Sequence, residues 1–396
     1  MTPGPGIFRT KLPRGFFASG VNCGVRRYRP DLGLIVSDRE MVAVGVFTQN
    51  TCKAAPVLYS EALLPADNIR AIVTNSGQAN AATGERGIED NVSMAKSVAR
   101  ELGCLDSQVI TASTGVIGDF MEIDKIVSSV PELVKNLTEI SEKFATAILT
   151  TDLVPKTVSK ELFLSEGKIV LTGICKGSGM IHPNMATMLA YILTDARLEA
   201  GQCQELLERA NEDSFNMISV DGETSTNDCA FLLANGASGI EVKEGEIPLL
   251  QEAVREIAII LAKSIARDGE GATRLLTIKA SRASDLLEAK RFARSLCESR
   301  LLQTAIYGES PNWGRVVSRL GMEGYKNLDR CSISFQGIEV FPFDSQKGYS
   351  KEDLLERMKS DEIVIEVDLN IGDASATSWG CDLSPRYVKI NSEYAT

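Results

Sequence analysis

The chain has 396 residues, 44% hydrophobic and 24% charged, which is the balance of a globular protein with a large core. Its net charge of -11 argues against a nucleic-acid binder and against attraction to an anionic membrane. No stretch approaches about 18 uninterrupted apolar residues and the first residues lack the apolar core of a secretory signal, so we expect a cytoplasmic protein with no membrane partner.

The composition also limits the chemistry. The nine cysteines contain no CxxC pair, which is typical of reduced thiols, and His182 is the only histidine. A multi-histidine metal site is therefore impossible, and a Ser-His-Asp triad could use only that one residue. The stretches "KGSG" and "GEGATR" lack phosphate-loop spacing. We expect no metal and no cofactor, and any transfer chemistry needs another base.

Hydrophobic periodicity predicts mixed elements in chain order. We predict two short strands around a turn in 31–47, helices over 88–102, 123–136 and 138–150, a hairpin turning at 166–167, a helix over 198–217, a strand over 229–234, a helix over 247–267, a strand over 274–279, and helices over 284–301 and 351–358. Strands and helices alternate without a regular βαβ repeat. The pattern indicates an α/β or α+β body with much of its sheet buried.

The stretch "KGSGMIHPNMATMLAYILTDA" runs from a polar loop into an apolar strand at Ala186-Thr187. A threonine hydroxyl is a poor nucleophile unless a base lies beside it. Cleavage of the chain just before Thr187 would supply one, because the new α-amino group has an unperturbed pKa of about 7.7–8.0. The alternative is that Thr187 is an ordinary strand residue at a loop junction.

A second stretch, "TASTGVIG", ends a predicted strand in a glycine-bounded loop. A nucleophile needs donors aimed at the developing oxyanion, and a threonine hydroxyl with a glycine N–H can supply them. Thr114 and Gly115 fit that role. The alternative is an ordinary turn at the end of a strand.

Seven motifs, in order along the chain, resemble the glutamate N-acetyltransferase family, the ornithine acetyltransferases of arginine biosynthesis. They are "TASTGVIG", "TTDLVPK", "KGSGMIHPNMATMLAYILTDA", "FNMISVDGETSTNDC", "RDGEGATR", "YGESPNWGR" and "CDLSPRYVKINSEYAT". The resemblance covers the chain from about Phe16 to its last residue. It implies an α/β fold of layered αββα-type, a sandwich resembling N-terminal-nucleophile hydrolases.

The resemblance also implies a site. The precursor would cut itself between Ala186 and Thr187 into chains 1–186 and 187–396 that form one body, and Thr187 would then carry the acetyl group. Thr114 and Gly115 match the oxyanion pair. The positions that match substrate-binding residues are Thr150, Lys176, Thr187, Glu270, Asn391 and Thr396. Since two of these lie near the C-terminus, we expect the tail to fold over the site.

The implied substrates are N-acetylornithine and glutamate, with Lys176 meeting a carboxylate and Glu270 an ammonium. Whether acetyl-CoA is a second donor stays open, and an α2β2 heterotetramer is the family expectation. A self-cleaving amidase or aminopeptidase of related fold is the alternative enzyme, and a binding protein that does not cleave itself is the alternative of another class. Four further polar motif residues have no assigned role: Asp221, Asn227, Asp228 and Asn312.

Overall fold

A computed structural model describes residues 10–182, 188–342 and 348–393. The strands are β1 (Phe16–Val21), β2 (Leu32–Phe47), β3 (Ala66–Gln78), β4 (Val109–Val116), β5 (Lys156–Leu164), β6 (Gly167–Lys176), β7 (Leu189–Thr194), β8 (Ile218–Ser219), β9 (Cys229–Ala234), β10 (Leu275–Ala283), β11 (Ser332–Phe335), β12 (Ile338–Phe341), β13 (Glu362–Asp368) and β14 (Ala374–Cys381). The helices are α1 (Ala55–Leu63), α2 (Gly84–Leu102), α3 (Ile123–Lys135), α4 (Glu142–Ala147), α5 (Ala200–Glu212), α6 (Ile247–Arg267), α7 (Leu286–Glu298), α8 (Arg300–Tyr307), α9 (Trp313–Met322), α10 (Lys351–Arg357) and α11 (Pro385–Glu393).

The larger sheet has eight strands in the order β4-β3-β2-β9-β7-β6-β5, with β1 beside β2. Strand β2 belongs to both halves of this sheet. Its first residues pair with β1 and β3, whereas Val42 to Phe47 pair with β9. The register between β2 and β3 shifts after Val36, which allows the strand to bend. The two halves of the sheet can therefore lie face to face.

An apolar layer fills the space between the two halves. It combines Ile72 and Ile110 from one half with Tyr191 and Phe231 from the other, all fully buried. The hydroxyls of Thr74 and Tyr191 lie 2.8 Å apart, so a hydrogen bond also joins the two halves.

Helices cover the outer faces of this sandwich. Helices α2 and α3 pack on the half that contains β1, β3 and β4, and α5 and α6 pack on the other half. The result is the layered αββα arrangement of the α/β class, which confirms the expected fold.

A second sheet of six strands, in the order β12-β11-β13-β10-β14-β8, lies beyond α6. Helix α6 contacts β5 and β6 on one side and β10 and β14 on the other, and α7 covers β10 and β14. One continuous core therefore joins the two sheets. Over the described ranges, no helix combines the length and apolarity that a membrane crossing requires.

Most predicted elements are present, including the hairpin of β5 and β6, the strand Cys229–Ala234 and the helix Ile247–Arg267. Two predictions were wrong. Residues 31–47 form one strand rather than two, because β2 keeps hydrogen-bonded neighbours along both halves. Residues 284–301 form two helices, because the Ser299 side chain caps α8 by accepting the Leu302 N–H at 3.3 Å.

Other differences concern the helices. The helix predicted over 138–150 is the short α4, Glu142–Ala147, and the helix predicted over 198–217 ends at Glu212 as α5. Helices α1 and α11 were not predicted. The predicted loop-to-strand junction at Ala186-Thr187 lies outside the described residues, which resume at Met188 one residue before β7.

Candidate active site

A cleft with a cavity volume of about 190 Å³ opens where β4 and β6 end, beside the loop that follows α6 and the C-terminal helix α11. It brings together all the sequence-predicted site residues that the structure describes, which are Thr114, Gly115, Thr150, Lys176, Glu270 and Asn391. Three predicted residues, Ala186, Thr187 and Thr396, lie outside the described ranges.

Lys176, the last residue of β6, is the cation of the cleft and is only 4% exposed. Its Nζ donates to Thr150 Oγ1 at 2.9 Å and to Thr114 Oγ1 at 3.3 Å. Because an ammonium group has no lone pair, both hydroxyl oxygens act as acceptors and keep their own protons for other partners. Burial lowers the pKa of Lys176, and the nearby carboxylate of Asp152 opposes that change.

Gly115 lies one residue beyond Thr114, with φ at +139°. A Cβ atom there would lie 2.2 Å from the carbonyl carbon of Gly77 on the neighbouring strand β3, so only glycine fits. The Asn227 side chain donates to the carbonyls of Ala79 at 2.6 Å and Ser113 at 2.9 Å, one residue before Thr114. The ends of β3 and β4 are thus fixed where the oxyanion pair is predicted.

Glu270 supplies a buried carboxylate, 5% exposed, on the loop after α6. Its Oε2 accepts a hydrogen bond from Asn391 Nδ2 at 2.8 Å, and no ion pair includes it among the described residues. The carboxyl group rests against the backbone of Gly179, where a Cβ would lie 2.4 Å from it. A buried carboxyl group that forms no ion pair among the described residues suits a positively charged ligand.

The chain beyond β14 folds over the cleft, as expected from the sequence. Asp382 Oδ1 accepts the backbone N–H groups of Thr273 at 2.7 Å and Arg274 at 2.8 Å. Helix α11 follows and places Tyr387 and Asn391 in the cleft wall. The described part of the tail therefore contributes directly to the site.

The cleft has a second acidic region, formed by Asp221 and Glu223. Asp221 accepts the backbone N–H groups of Met180 at 2.6 Å and Ile181 at 2.9 Å, which fixes the loop that leads toward the predicted cleavage site. Burial raises the pKa of Asp221 to about 6. One lysine facing several carboxyl groups is an arrangement suited to a small ligand that carries both charges.

Met188, the first described residue after Thr187, lines a small cavity with Thr114, Lys176 and Asp228. Strand β7 runs parallel to β9, and the Cys229 N–H donates to the Met188 carbonyl at 3.1 Å. Burial raises the pKa of Asp228 well above its ordinary value. Met188, which follows Thr187 in the sequence, therefore lies beside Thr114, one of the predicted oxyanion residues.

The structure also places the residues that sequence analysis left unassigned. Asp221 and Asn227 line the main cleft and Asp228 lines the smaller cavity, whereas the exposed Asn312 precedes α9 and is not in the cleft wall. His182 Nδ1 lies 3.6 Å from Glu298 Oε1, and burial lowers its pKa.

Sequence analysis missed a buried ionic group behind the cleft. Asp152 and Lys156 are fully buried side chains that pair at 2.7 Å, and Lys156 also pairs with Asp268 at 2.6 Å. These charges belong to the motifs "TTDLVPK" and "RDGEGATR", but nothing in the motifs indicates that the side chains are buried together. Within the described ranges, no group of three or more His, Cys, Asp or Glu side chains could hold a metal ion.

A family model and the sequences of known proteins match nearly the whole chain. A model of the ArgJ family matches residues 17–396. The arginine biosynthesis bifunctional protein ArgJ of Thermotoga neapolitana is 42% identical over 395 residues, covering 97% of this chain and 100% of the relative. The protein of the same name from Listeria monocytogenes is 41% identical over 396 residues, covering 97% and 98%. A solved ornithine acetyltransferase from Mycobacterium tuberculosis, complexed with ornithine, is 37% identical with a TM-score of 0.41, covering 43% of this chain and 92% of that chain.

Proposed function

The chain belongs to the ArgJ family, and we propose that it is a self-processing acetyltransferase that moves an acetyl group from N-acetylornithine to glutamate. The products are ornithine and N-acetylglutamate. The observation that best supports the proposal is the contact of Lys176 with both Thr114 and Thr150 in a cleft that also holds the buried Glu270 carboxylate.

Processing comes first in this proposal. The Thr187 hydroxyl attacks the carbonyl carbon of Ala186, the peptide C–N bond breaks, and an ester forms between the two residues. Water hydrolyses the ester and releases chains 1–186 and 187–396, with Thr187 as a new N-terminus. The freed α-amino group is then the base that the histidine-poor chain otherwise lacks.

Transfer follows a ping-pong route through acetyl-Thr187. The Thr187 hydroxyl attacks the carbonyl carbon of the acetamide group of N-acetylornithine. The α-amino group of Thr187 accepts the hydroxyl proton and passes it to the leaving amine. Ornithine departs, and the neutral amine of glutamate then attacks the acetyl ester. N-acetylglutamate leaves and the free hydroxyl is restored.

The geometry around Lys176 supports the oxyanion assignment. Since Thr114 Oγ1 accepts from Lys176 at 3.3 Å, its O–H proton is free to donate toward the developing oxyanion. The Lys176 ammonium also stabilises negative charge on that side of the cleft. A Gly115 N–H as the second donor agrees with the close backbone approach that its missing Cβ allows.

The charges of the cleft support the proposed substrate class. Lys176 has three N–H groups and uses two of them on the threonines, which leaves one for a substrate carboxylate. Glu270, oriented by Asn391, accepts an ammonium group. Both substrates are amino acids or their N-acetyl derivatives, so they carry the carboxylate that Lys176 requires.

One assay separates the proposed transferase from a self-cleaving hydrolase. Purified protein is incubated with N-acetylornithine, with and without glutamate, and both ornithine and N-acetylglutamate are measured. A transferase forms them in equal amounts only when glutamate is present, whereas an amidase or aminopeptidase releases ornithine and acetate without it. A binding protein of this fold would do neither and would show no self-cleavage on a denaturing gel.

Three further features belong to the proposal. The relatives are called bifunctional, and an assay with acetyl-CoA and glutamate tests whether this chain uses a second donor. The two processed chains are expected to assemble as an α2β2 heterotetramer, which size measurement of the processed protein would test. A cytoplasmic location remains our expectation.

A further inference from the structure

Asp152 lies directly behind the cleft and connects three of its parts. Its Oδ1 accepts the Gly177 N–H at 2.7 Å, and its Oδ2 accepts the Thr150 N–H at 3.1 Å and lies 4.0 Å from Lys176 Nζ. Its side chain is fully buried. One carboxylate therefore fixes the backbone beside two predicted substrate-binding residues and contributes charge to the ammonium of one of them.

Lys156 holds that carboxylate from the other side. Its Nζ donates to Asp152 Oδ1 at 2.7 Å and to Asp268 Oδ2 at 2.6 Å, and its side chain is also fully buried. Burial disfavours both charges, yet the pairing holds the pKa of Asp152 well below its ordinary range and raises that of Lys156. Both groups are therefore ionised near neutral pH.

The charges that act on Lys176 come from four neighbours. Asp152 and Glu270 act on Lys176 as negative groups and Lys156 as a positive group, whereas Asp228 contributes less negative charge because burial raises its pKa well above the ordinary value. Burial and Lys156 favour the neutral amine of Lys176, whereas the carboxylates favour the ammonium. Asp152 is the carboxylate with the largest Coulombic effect on Lys176, and it also pairs with Lys156 at 2.7 Å, so a change at either residue alters how strongly Lys176 is held in its charged form.

We propose that Asp152 and Lys156 are positioning residues for Lys176: Asp152 keeps Lys176 charged, and Lys156 prevents Asp152 from capturing the Lys176 ammonium. Lys176 then lies 2.9 Å from Thr150 Oγ1 but 4.0 Å from Asp152, free to bind a substrate carboxylate. The inference rests on the proposed function, because that carboxylate belongs to its substrates.

The test compares the pH dependence of KM for N-acetylornithine in the wild type and three variants. KM rises with pH as Lys176 loses its proton. Asp152→Asn removes a charge that favours the ammonium, so the rise moves to lower pH. Lys156→Met removes a charge that opposes the ammonium, so the rise moves to higher pH. At low pH, Lys156→Met also raises KM about tenfold, since Asp152 now competes with the substrate carboxylate.

Asp268→Asn is the matched control. It removes the ion pair of Lys156 with Asp268, which at 2.6 Å is nearly as long as the pair of Lys156 with Asp152 at 2.7 Å. Asp268, however, is not among the charges that act most strongly on Lys176. We expect a lower melting temperature and a smaller displacement of the KM profile than in Asp152→Asn. The titration of the substrate itself is common to all variants and cancels in the comparison.

Opposite displacements in Asp152→Asn and Lys156→Met support the inference. Displacements in the same direction, no displacement in folded variants, or an equal displacement in Asp268→Asn would overturn it. If Asp152→Asn does not fold, Lys156→Met alone decides, because its profile must move to higher pH. Calorimetric titration with ornithine measures the same displacements without turnover, so a wild-type protein that binds ornithine but transfers no acetyl would contradict only the proposed function.

Discussion

Asn391 Nδ2 donates a hydrogen bond to Glu270 Oε2 at 2.8 Å, across 121 residues of sequence. This contact joins helix α11 to the loop after α6 and places both side chains in the wall of one cleft. The C-terminal helix is therefore part of the candidate active site. The position of Asn391 on this helix determines how the Glu270 carboxylate is oriented in the cleft.

Substitution of Glu270 or Asn391 should weaken the binding of the substrate ammonium group. Glu270→Ala deletes a charge-assisted interaction worth roughly 1.5–3 kcal/mol, so we expect KM for N-acetylornithine to rise about 10- to 150-fold. Asn391→Ala should raise KM less, since Glu270 keeps its charge and loses only its orientation. Steady-state kinetics of the two variants check this, and an unchanged KM in Glu270→Ala would show that no substrate ammonium reaches this carboxylate.

Lys176→Met should raise KM for both substrates, because each must present a carboxylate to the same ammonium. It should also lower kcat, since Thr114 loses the donor that orients its hydroxyl toward the oxyanion. Lys168→Met is the control: it lies on the same strand β6, but its ammonium is exposed and pairs with Glu161 at 2.6 Å. Equal KM and kcat values for the two variants would show that Lys176 has no role in substrate binding or transfer.

Gly115→Ala should abolish both self-cleavage and transfer. The added Cβ would lie 2.2 Å from the Gly77 carbonyl carbon, so the end of β4 must move away from β3 and carry Thr114 with it. Gly118→Ala is the matched control for Gly115→Ala. Gly118 also has a positive φ, +90°, but a Cβ there meets nothing within 4 Å. We expect this control to lose about 1–3 kcal/mol of stability and to remain active. Denaturing gels and thermal melts measure both effects.

The rate of transfer should rise with pH through a single apparent pKa. The α-amino group of Thr187 must be neutral to accept a proton, and its unperturbed pKa is about 7.7–8.0. The competing base is His182, whose pKa is lowered by burial and by Arg294. In His182→Asn the acidic limb should persist with little change in midpoint. Disappearance of that limb would make His182 the base.

Sequence periodicity was sufficient to predict the helices and strands that have one strongly apolar face. Helix α6 was predicted with its observed ends, because its buried positions recur at helical spacing from Leu250 to Ala266. The single strand β2 was missed because its exposed residues 38–40 resemble a local turn, whereas its continuity depends on pairing with β3 and β9. Pairing between distant strands leaves no local signal in the sequence.

For the candidate site, too, only part could be predicted from the sequence. Motif resemblance identified Lys176 and Glu270, and the structure brings both into one cleft. The role inferred for Asp152 could not be predicted, because it depends on contacts with Thr150, Lys156 and Gly177 that form only when the ends of two strands and a loop meet. In the sequence, such a carboxylate is indistinguishable from a solvated surface charge.

Intact-mass spectrometry of the purified protein tests the central claim most directly. The 42.8 kDa chain should be replaced by two species with the masses of chains 1–186 and 187–396, the second with Thr187 as its N-terminus. Brief exposure to N-acetylornithine without glutamate should make the second species heavier by one acetyl group, located on Thr187. Addition of glutamate should then remove that group, and Thr187→Ala should remain one unmodified chain. An active protein that stays uncleaved, or an acetyl group located on any other residue, would contradict the account.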